Sequence, residues 1–410
     1  MDLKSFYKSL KFFLKLLFIK KNYDVVFVSF NHFNRGKNGE NIFFKPFIDV
    51  CKNNNLNYVY LEETDLKGAF NNYPRNKDAI PLDFITFLQV ILRKLFSKEN
   101  RDYSKYDIYY EREIKVSKFL KRLFFKNFKS NVYIMLAHNN VVLWREINKK
   151  AFIMDYQHGM IWNGHDSTMI NNKPAPIKKL NNVKTLVYGK GFQELLISND
   201  KTNFFNKKNV IPIGYYLPIN SFKHKNNNKI ILYTLQNVDM ESNEKYYNII
   251  KKIIFTNADF FEKNGYKIFF KNHPRYDKND KLVFDKHFSF IYFINDNLSL
   301  KEFLRTKNVS IHITSKSTTA FDVALRGIPT IFIDMLKIRS PREMFVEQYK
   351  YPFENFIINK PIQLQKILNE LENTEYYNKV SSKVYEWARY FYSDFDEKLF
   401  FKLVKQSKNV

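Results

Sequence analysis

The stretch "SIHITSKSTTAFDVALRGIPTIFID" (310–334) holds a strand, a helix and a second strand in immediate succession. Its apolar first part ends near Thr314, and serines and threonines then open a helix predicted over 318–326. Gly327 suits the end of that helix because glycine adopts positive φ, and Pro329 prevents its continuation. Strands that alternate with helices in this way predict a mostly parallel sheet.

The same alternation continues in both directions along the chain. At 410 residues the chain exceeds the roughly 250–300 residues that one hydrophobic core organises, so two domains are expected. The polar, proline-containing segment 217–229 has no periodicity and predicts a linker. The predicted organisation is a Rossmann-like domain over 1–216, the linker, a second Rossmann-like domain over 230–375, and C-terminal helices over 376–410 that fold back on the first domain. Further strands are predicted within 24–30, 56–62, 131–140, 149–159, 183–191, 209–216, 230–236, 266–275 and 288–294.

The composition indicates the cellular compartment and the kind of partner that are expected for the protein. The formal net charge of +26 predicts an anionic partner: nucleic acid, an acidic bilayer surface or a phosphate-bearing substrate. The single cysteine, Cys51, excludes an intrachain disulfide framework and a cysteine-based zinc site, which favours the reducing cytoplasm. The sequence has no run of 18 or more uncharged apolar residues, so no membrane-spanning helix is predicted. The basic N-terminus is not followed by a secretory cleavage pattern, so no secretory signal is predicted.

Three aromatic segments in the first half have basic, amphipathic character. In the first, Lys4, Lys8, Lys11 and Lys15 recur at helical spacing beside apolar residues. This pattern is typical of a helix lying in a membrane interface, and the alternative is a surface helix packed on the body of the protein. No nucleic-acid-binding motif accompanies the charge, so an anionic membrane surface is the expected partner, and a nucleic-acid-binding protein or a non-catalytic membrane scaffold is the rival hypothesis. The three segments span 3–20, 84–96 and 115–129.

Polar side chains follow two strands of the predicted second domain. Because ligands bind outside the carboxyl ends of parallel strands, both clusters are expected at one edge of the sheet. Hydroxyls and free amides at a helix start, with nearby cations, suit a phosphate and require no metal. The alternative is a well-capped helix whose hydroxyls bond only their own backbone. The candidate phosphate-binding residues are Lys271, His273, Pro274, Arg275, Ser315, Ser317, Thr318, Thr319 and Asp322, with Ser317 as the expected N-cap.

The segment "MDYQHGMIWNGHDS" (154–167) follows a strand of the predicted first domain. His158 is the candidate general base because the ordinary pKa of imidazole lies near neutral pH, and the alternative is a structural histidine bonded to a carbonyl. Asp155 or Asp166 could orient its ring, and Glu40 is a further candidate base. No third metal ligand stands at recognisable spacing, so no metal is expected. The candidates for acceptor or cleft contacts are Arg35, Gln157 and His165.

The succession of "DYQHG", "YGKGFQELL", "NVIPIGYY", "FFKNHPR" and "TSKSTTAFDVALRGIPT" resembles bacterial surface-polysaccharide glycosyltransferases of the GT-B fold. It is similar in outline to capsule, sialyl-, polysialyl- and Kdo-type transferases over roughly residues 150–335. Two departures stand out. The acidic D/E-D/E-G base motif of sialyltransferases is absent, with "YQHG" in a comparable place, and Lys316 interrupts the hydroxyl motif.

The resemblance implies two Rossmann-like domains that face a cleft. It places His273 and Pro274 against the donor nucleotide, Ser317 and Thr318 on its phosphate, and Asp322 near its ribose. The implied activity moves a sugar from a CMP- or UDP-linked donor to a lipid-linked or membrane-proximal glycan acceptor, in capsule or lipopolysaccharide synthesis at the inner membrane face. CDP-glycerol-type polyol-phosphate transferases and nucleotide-sugar 2-epimerases share similar motifs and remain alternatives.

Overall fold

The chain forms two compact units. Unit 1 comprises Met1–Pro218 and Tyr392–Val410, and unit 2 comprises Ile219–Phe391. The sequence predicts that the chain returns to the first domain at residue 376. In the structure it returns at residue 392, one helix later. The computed structural model describes residues 3–36, 39–63, 74–97, 101–102, 104–137, 140–219, 228–236, 240–273, 282–295, 298–335 and 340–408, with the backbone alone for 240–243.

Unit 1 is built on a seven-stranded parallel sheet of order β11-β10-β7-β6-β2-β3-β4. Its chain order is that of a doubly wound Rossmann sheet, and it reverses between β2 and β6. The central strands are buried on both faces, which explains their continuous apolar sequences. The strands are β2 (Val25–Phe30), β3 (Tyr58–Glu63), β4 (Ile80–Pro81), β6 (Val132–Met135), β7 (Phe152–Tyr156), β10 (Lys184–Val187) and β11 (Val210–Pro212).

Two small pairings complete the strands of unit 1. β1 (Lys21–Tyr23) lies parallel to β5 (Phe128–Ser130), and β8 (Met169–Ile170) lies antiparallel to β9 (Lys173–Pro174). The strand β5 corrects the expectation of one helix over 115–129, since the helix there ends at Phe124.

Seven helices of unit 1 connect or cover these strands in the described residues. α1 packs on α3 and turns Ser9, Phe13 and Leu16 inward, so it is a surface helix held on the body of the unit. The Ser9 hydroxyl accepts a bond from the Phe84 amide at 3.2 Å. The helices are α1 (Leu3–Leu16), α2 (Lys45–Asn53), α3 (Asp83–Phe96), α4 (Tyr106–Phe124), α5 (Val141–Ile147), α6 (Pro176–Leu180) and α7 (Lys190–Asn199).

Unit 2 contains a six-stranded parallel sheet of order β14-β13-β12-β15-β16-β17. In chain order this is 3-2-1-4-5-6, the Rossmann arrangement, and the order reverses between β12 and β15. The strands are β12 (Ile230–Thr234), β13 (Lys267–Lys271), β14 (Ile291–Phe293), β15 (Ile311–Thr314), β16 (Thr330–Ile333) and β17 (Ile357–Ile358). The helices are α8 (Met240–Lys263), α9 (Leu300–Thr306), α10 (Thr319–Ala324), α11 (Gln363–Glu372) and α12 (Thr374–Phe391), with a π-helical segment at Arg342–Gln348.

The last part of the chain belongs to unit 1. Residues after α12 run beside the segment that follows β11, where the Tyr215 amide donates to the Ser393 carbonyl at 2.8 Å and the Asp396 amide donates to the Ile213 carbonyl at 2.8 Å. Gly214 has φ +103°, and a Cβ there would overlap the carbonyl of Asp394, so only glycine fits. The helix α13 (Glu397–Ser407) then packs on α2.

Within the described ranges, no helix combines the length and the apolar character that crossing a bilayer requires.

Candidate functional site

A chain of hydrogen bonds runs from the interior of the unit 2 sheet to its carboxyl edge, where the strand order reverses. The Thr234 hydroxyl, at the end of β12, lies 2.9 Å from His312 Nε2 and 3.1 Å from the Thr319 hydroxyl. Thr319 in turn donates to Ser317 Oγ at 2.9 Å. On the other side of the imidazole, His312 Nδ1 lies 3.0 Å from the Thr330 hydroxyl. We call these five residues the hydroxyl–imidazole network.

His312 is the buried centre of this network. Its side chain is fully buried, and burial lowers its pKa to about 3. The imidazole is therefore neutral at pH 7, with one nitrogen donating and the other accepting. Such a ring fixes the direction of the hydrogen bonds on both of its sides, and through Thr234 it positions Thr319 at the start of α10.

Ser315 adds a buried hydroxyl directly after β15. Its exposure is 3%, and its oxygen has no hydrogen-bond partner within the part of the chain that the structure describes. Buried hydroxyls in folded proteins are almost always bonded, so a hydroxyl of this kind at a strand end is suited to a ligand.

The helix start differs in detail from the expectation. α10 begins at Thr319, with Thr318 as an N-cap that makes no side-chain cap bond. The Ser317 oxygen instead accepts from the Thr319 amide at 3.3 Å. Ser317 and Thr319 are thus brought together, while Ser317 stands one position before the cap. Both are half-buried.

The structure describes only some of the predicted basic residues of unit 2. Lys271 ends β13 and donates to the Asn295 carbonyl at 3.3 Å, and the half-buried His273 follows two residues later. Pro274 and Arg275 lie outside the described residues. Asp322 is half-buried within α10, where its charge partly offsets the lowering of the Arg326 pKa by burial.

His158 follows β7 at the carboxyl edge of the unit 1 sheet. Its ring packs edge-to-face on Phe33, with 5.1 Å between the ring centroids. Burial lowers the pKa of His158 to about 4; Asp155 opposes this shift, and the positive charge of Lys178 adds to it. The imidazole is therefore neutral at pH 7, the form that a general base requires.

Asp155 has a partner other than the imidazole. Its Oδ2 accepts from the fully buried Lys178 ammonium at 2.6 Å, and Lys178 also donates to the Thr185 hydroxyl at 3.0 Å. Asp166, the second candidate for orienting His158, is exposed. Asp155 therefore affects His158 through its charge. Its hydrogen bond belongs to a buried ion pair with Lys178, which the sequence did not predict.

Two further candidates of unit 1, Gln157 and His165, make hydrogen bonds that hold the local structure. Gln157 is buried and links β7 to β10, since its side-chain oxygen accepts from the Tyr188 amide at 2.9 Å. His165 Nδ1 lies 3.0 Å from the Ser167 hydroxyl and 3.2 Å from that of Thr168.

The loop after β2 carries the last two candidates. Arg35 is exposed with its guanidinium 5.5 Å from the Phe43 ring centroid, and Glu40 is exposed while its carbonyl accepts from the Gly36 amide at 2.9 Å. Neither side chain is buried in a pocket.

Sequence reasoning missed a pair of carboxylates at the end of β3. Glu62 accepts from Asn34 at 2.6 Å and from Arg75 at 2.9 Å. Glu63 accepts from Asn140 at 2.8 Å, and burial raises its pKa to about 7. The rule applied to the other strands, that functional side chains follow carboxyl ends, would have identified both residues.

Helices α1, α3 and α4 share an exposed apolar surface. α1 packs on α3 through Phe6, whose ring centroid lies 5.9 Å from those of Phe84 and Phe87. Exposed lysines at 4, 11, 15, 94, 115 and 118 lie on the same three helices. The surface, which we call the outer stripe, consists of Leu3, Tyr7, Leu14, Phe18, Phe87, Ile91, Leu95, Phe119 and Leu123.

The comparisons with known proteins find likeness in structure alone. No protein-family model and no curated protein sequence matches the chain. A putative UDP-N-acetylglucosamine 2-epimerase from Listeria monocytogenes superposes with a TM-score of 0.56 at 12% identity, covering 94% of this chain and 97% of that chain. The UDP-GlcNAc 2-epimerase from Neisseria meningitidis bound to UDP-GlcNAc gives 0.54 at 12% identity, covering 94% and 100%. The wall teichoic acid polymerase TagF gives 0.48 at 14% identity, covering 100% and 98%.

These findings confirm the predicted fold class. The chain is an α/β protein with a Rossmann-like parallel sheet in each of its two units, and its fold is similar to that of the two 2-epimerases.

Proposed function

We propose that the chain is a glycosyltransferase that moves a sugar from a nucleotide-sugar donor to a growing surface glycan of the capsule or lipopolysaccharide type. The observation that carries the proposal is the hydroxyl–imidazole network with Ser315 beside it, at the strand reversal of unit 2. That point is where Rossmann sheets bind nucleotides. The likeness in fold to a structure described as bound to UDP-GlcNAc supports a nucleotide-sugar ligand.

In this proposal unit 2 holds the donor. The hydroxyls of Ser315 and Ser317 donate to phosphate oxygens, and the Thr319 hydroxyl holds Ser317 in place through the bond that it donates to Ser317 Oγ. Lys271 and His273 supply positive charge or donors nearby. These groups stabilise the negative charge that develops on the leaving phosphate when the bond between it and the anomeric carbon breaks. The donor is CMP- or UDP-linked, and the groups named require no metal.

His158 of unit 1 is proposed as the general base. The acceptor hydroxyl oxygen forms a bond to the anomeric carbon, and its proton moves to the imidazole; a positioned base contributes roughly 10²–10⁴-fold in rate. The pKa of about 4 keeps this imidazole neutral across the physiological range. The acid limb of the rate is therefore expected well below pH 6, rather than at the ordinary value for histidine.

The test separates the two residues. In thermal-shift measurements with UDP, CMP and GDP, at least one nucleotide should raise the melting temperature by mass action. His158→Gln should abolish turnover and keep that shift, whereas His273→Ala should reduce the shift. His287→Gln is the control, since His287 is exposed in unit 2 and belongs to neither site. Equal loss of nucleotide binding in both variants would contradict the assignment of His158.

A nucleotide-sugar epimerase is the second candidate, favoured by the fold likeness to two 2-epimerases. NMR of the reaction distinguishes the candidates. An epimerase changes the sugar while it stays on the nucleotide, and it needs no acceptor. A glycosyltransferase releases the nucleotide and consumes an acceptor. The third alternative, a CDP-polyol phosphotransferase, releases CMP from its CDP-linked donor.

We further propose that the enzyme acts as a peripheral protein on the inner face of the cytoplasmic membrane, near a lipid-linked or membrane-proximal acceptor. The outer stripe and the exposed lysines of the same helices support this location, because apolar side chains enter the interface while each lysine near an anionic surface contributes about 1 kcal/mol. The protein should float with vesicles that contain phosphatidylglycerol and release at high salt. Binding to duplex DNA with a steep salt dependence, and none to vesicles, would contradict this proposal.

A further inference from the structure

Unit 1 contains a cavity of about 290 Å³ that is lined by both polar and apolar residues and by none of the residues proposed for catalysis. It lies among α3, α4 and the start of α5. Its polar wall consists of Gln89, Tyr109, Glu113, Ser117, Asn140 and Ser167. Apolar residues complete the lining, which we call the apolar wall: Ala137, Val141, Val142, Leu143 and Ile177. A pocket with one apolar wall and a few placed polar groups is the usual form of a small-ligand site.

The polar wall is held in place by its own hydrogen bonds. Gln89, which is 2% exposed, donates to the Asn140 side-chain oxygen at 2.8 Å, and Asn140 donates to Glu63 at 2.8 Å. Glu113 accepts from Arg93 through both carboxylate oxygens, at distances between 2.7 and 3.0 Å. Amides and a carboxylate fixed in this way, with the neighbouring hydroxyls of Ser117 and Tyr109, can donate to and accept from adjacent hydroxyl groups of one ligand.

The charges of the cavity select against an anion. No lysine or arginine is among the described residues that line it, and the guanidinium of Arg93 is already held by both oxygens of Glu113. A phosphate placed here would lose its hydration and meet a carboxylate instead of a cation, which is unfavourable. A neutral polyhydroxyl compound meets no such penalty.

We propose that this cavity binds an uncharged sugar residue, in preference to a sugar phosphate or a polyol phosphate. Hydroxyl groups of the sugar bond to Gln89, Glu113, Ser117 and Asn140, while its C–H face lies on the apolar wall. The identification of this sugar as part of the acceptor rests on the proposed function.

The surroundings of the cavity fit a lipid-linked acceptor. Gln89 lies on the inner face of α3, and Glu113 and Ser117 lie on the inner face of α4. The outer faces of the same two helices carry part of the outer stripe, including Leu95 and Phe119. A sugar in the cavity and its lipid in a bilayer would therefore contact the same two helices from different sides.

The test uses the full-length protein and saturation-transfer NMR. The probes are the methyl glycosides of glucose, galactose, N-acetylglucosamine and N-acetylgalactosamine, with glucose 6-phosphate and glycerol 3-phosphate as charged counterparts. At least one neutral probe should bind, and the phosphates should bind at least tenfold more weakly. Binding of none of the neutral probes, or equal or tighter binding of the phosphates, would overturn the proposal.

Two variants locate the binding. Gln89→Leu and Ser117→Val each remove a polar group from the wall and keep the side-chain size close, so each should weaken sugar affinity about tenfold. Gln193→Leu is the matched control, because Gln193 also donates one bond in unit 1, to the Val210 carbonyl at 2.6 Å. Circular dichroism checks the fold, and Ser117→Val carries the test if Gln89→Leu does not fold. Sugar binding that neither variant changes would overturn the proposal.

A thermal shift with UDP, recorded on the same samples, separates this inference from the proposed function. If the unsubstituted protein binds no neutral sugar probe but keeps its UDP shift, the cavity proposal alone is refuted. If it binds a sugar specifically but responds to none of UDP, CMP and GDP, the cavity stays assigned and the glycosyltransferase proposal is refuted.

Discussion

Replacement of His312 by glutamine should remove much of the acid sensitivity of unit 2. The pKa of His312 is about 3 in the folded chain because the ring is buried, against an ordinary 6.5. Between these values the unfolded chain binds the proton and the folded chain does not, so the free energy of unfolding falls as pH decreases. From pH 7 to pH 5 this single group lowers it by about 2 kcal/mol. Glutamine keeps donors and acceptors near Thr234 and Thr330 but does not titrate in this range.

The assay is urea unfolding at pH 5, 6 and 7, followed by the fluorescence of Trp387, which lies in α12 of unit 2. Phenylalanine at Trp144 and Trp162 removes the signal of unit 1. The loss of stability between pH 7 and pH 5 should be smaller by about 2 kcal/mol in His312→Gln than in its parent. His287→Gln, an exposed histidine of the same unit, should keep the parent's pH dependence. The same pH dependence in His312→Gln and its parent would refute the reasoning.

Three further predictions concern a buried ion pair, a buried hydroxyl and the outer stripe. Lys178→Met should lower the free energy of unfolding by about 3–5 kcal/mol because it leaves the Asp155 carboxylate buried without its cation. In urea titrations, adding Asp155→Asn should restore most of the lost free energy of unfolding. Ser315→Ala should leave the melting temperature unchanged yet weaken nucleotide affinity about tenfold by calorimetry; unchanged affinity would remove Ser315 from the donor site. Leu95→Glu should reduce flotation with anionic vesicles about tenfold, while Phe255→Glu, at an exposed apolar position of unit 2, should not.

Much of the fold was predictable because strand ends and helix starts are local features. The run from Ile311 to Ile333 carries its apolar strands, its hydroxyls and its glycine in sequence order, and the structure keeps that order. Boundaries were less predictable. Residues 125–129 have the same basic, aromatic character as the helix before them, yet Phe128–Ser130 pairs with Lys21–Tyr23, more than a hundred residues earlier. A distant partner of this kind leaves no local pattern.

The site divides in the same way. Ser315 and Ser317 were found because they follow a strand, whereas His312 lies inside one and its partner Thr234 is 78 residues away. Asp155 was assigned to His158 because the two are close in sequence, but its hydrogen-bonded partner, Lys178, is 23 residues distant. Burial also lowers the pKa of His158 and of His312, and burial is a property of the folded chain. Sequence therefore located the sheet edges and did not determine which side chains pair there.

The return of Tyr392–Val410 to unit 1 has a consequence for synthesis on the ribosome. The nascent chain delivers β1 to β11 first, then all of unit 2, and only afterwards the segment that bonds to the carbonyl of Ile213 and covers Gly214. Until that segment emerges, Phe47 of α2 lacks its neighbour Phe400, and part of the unit 1 core is exposed to solvent. Unit 2 can therefore mature first, and a premature stop near residue 391 would release a chain whose first-made half is the unfinished one.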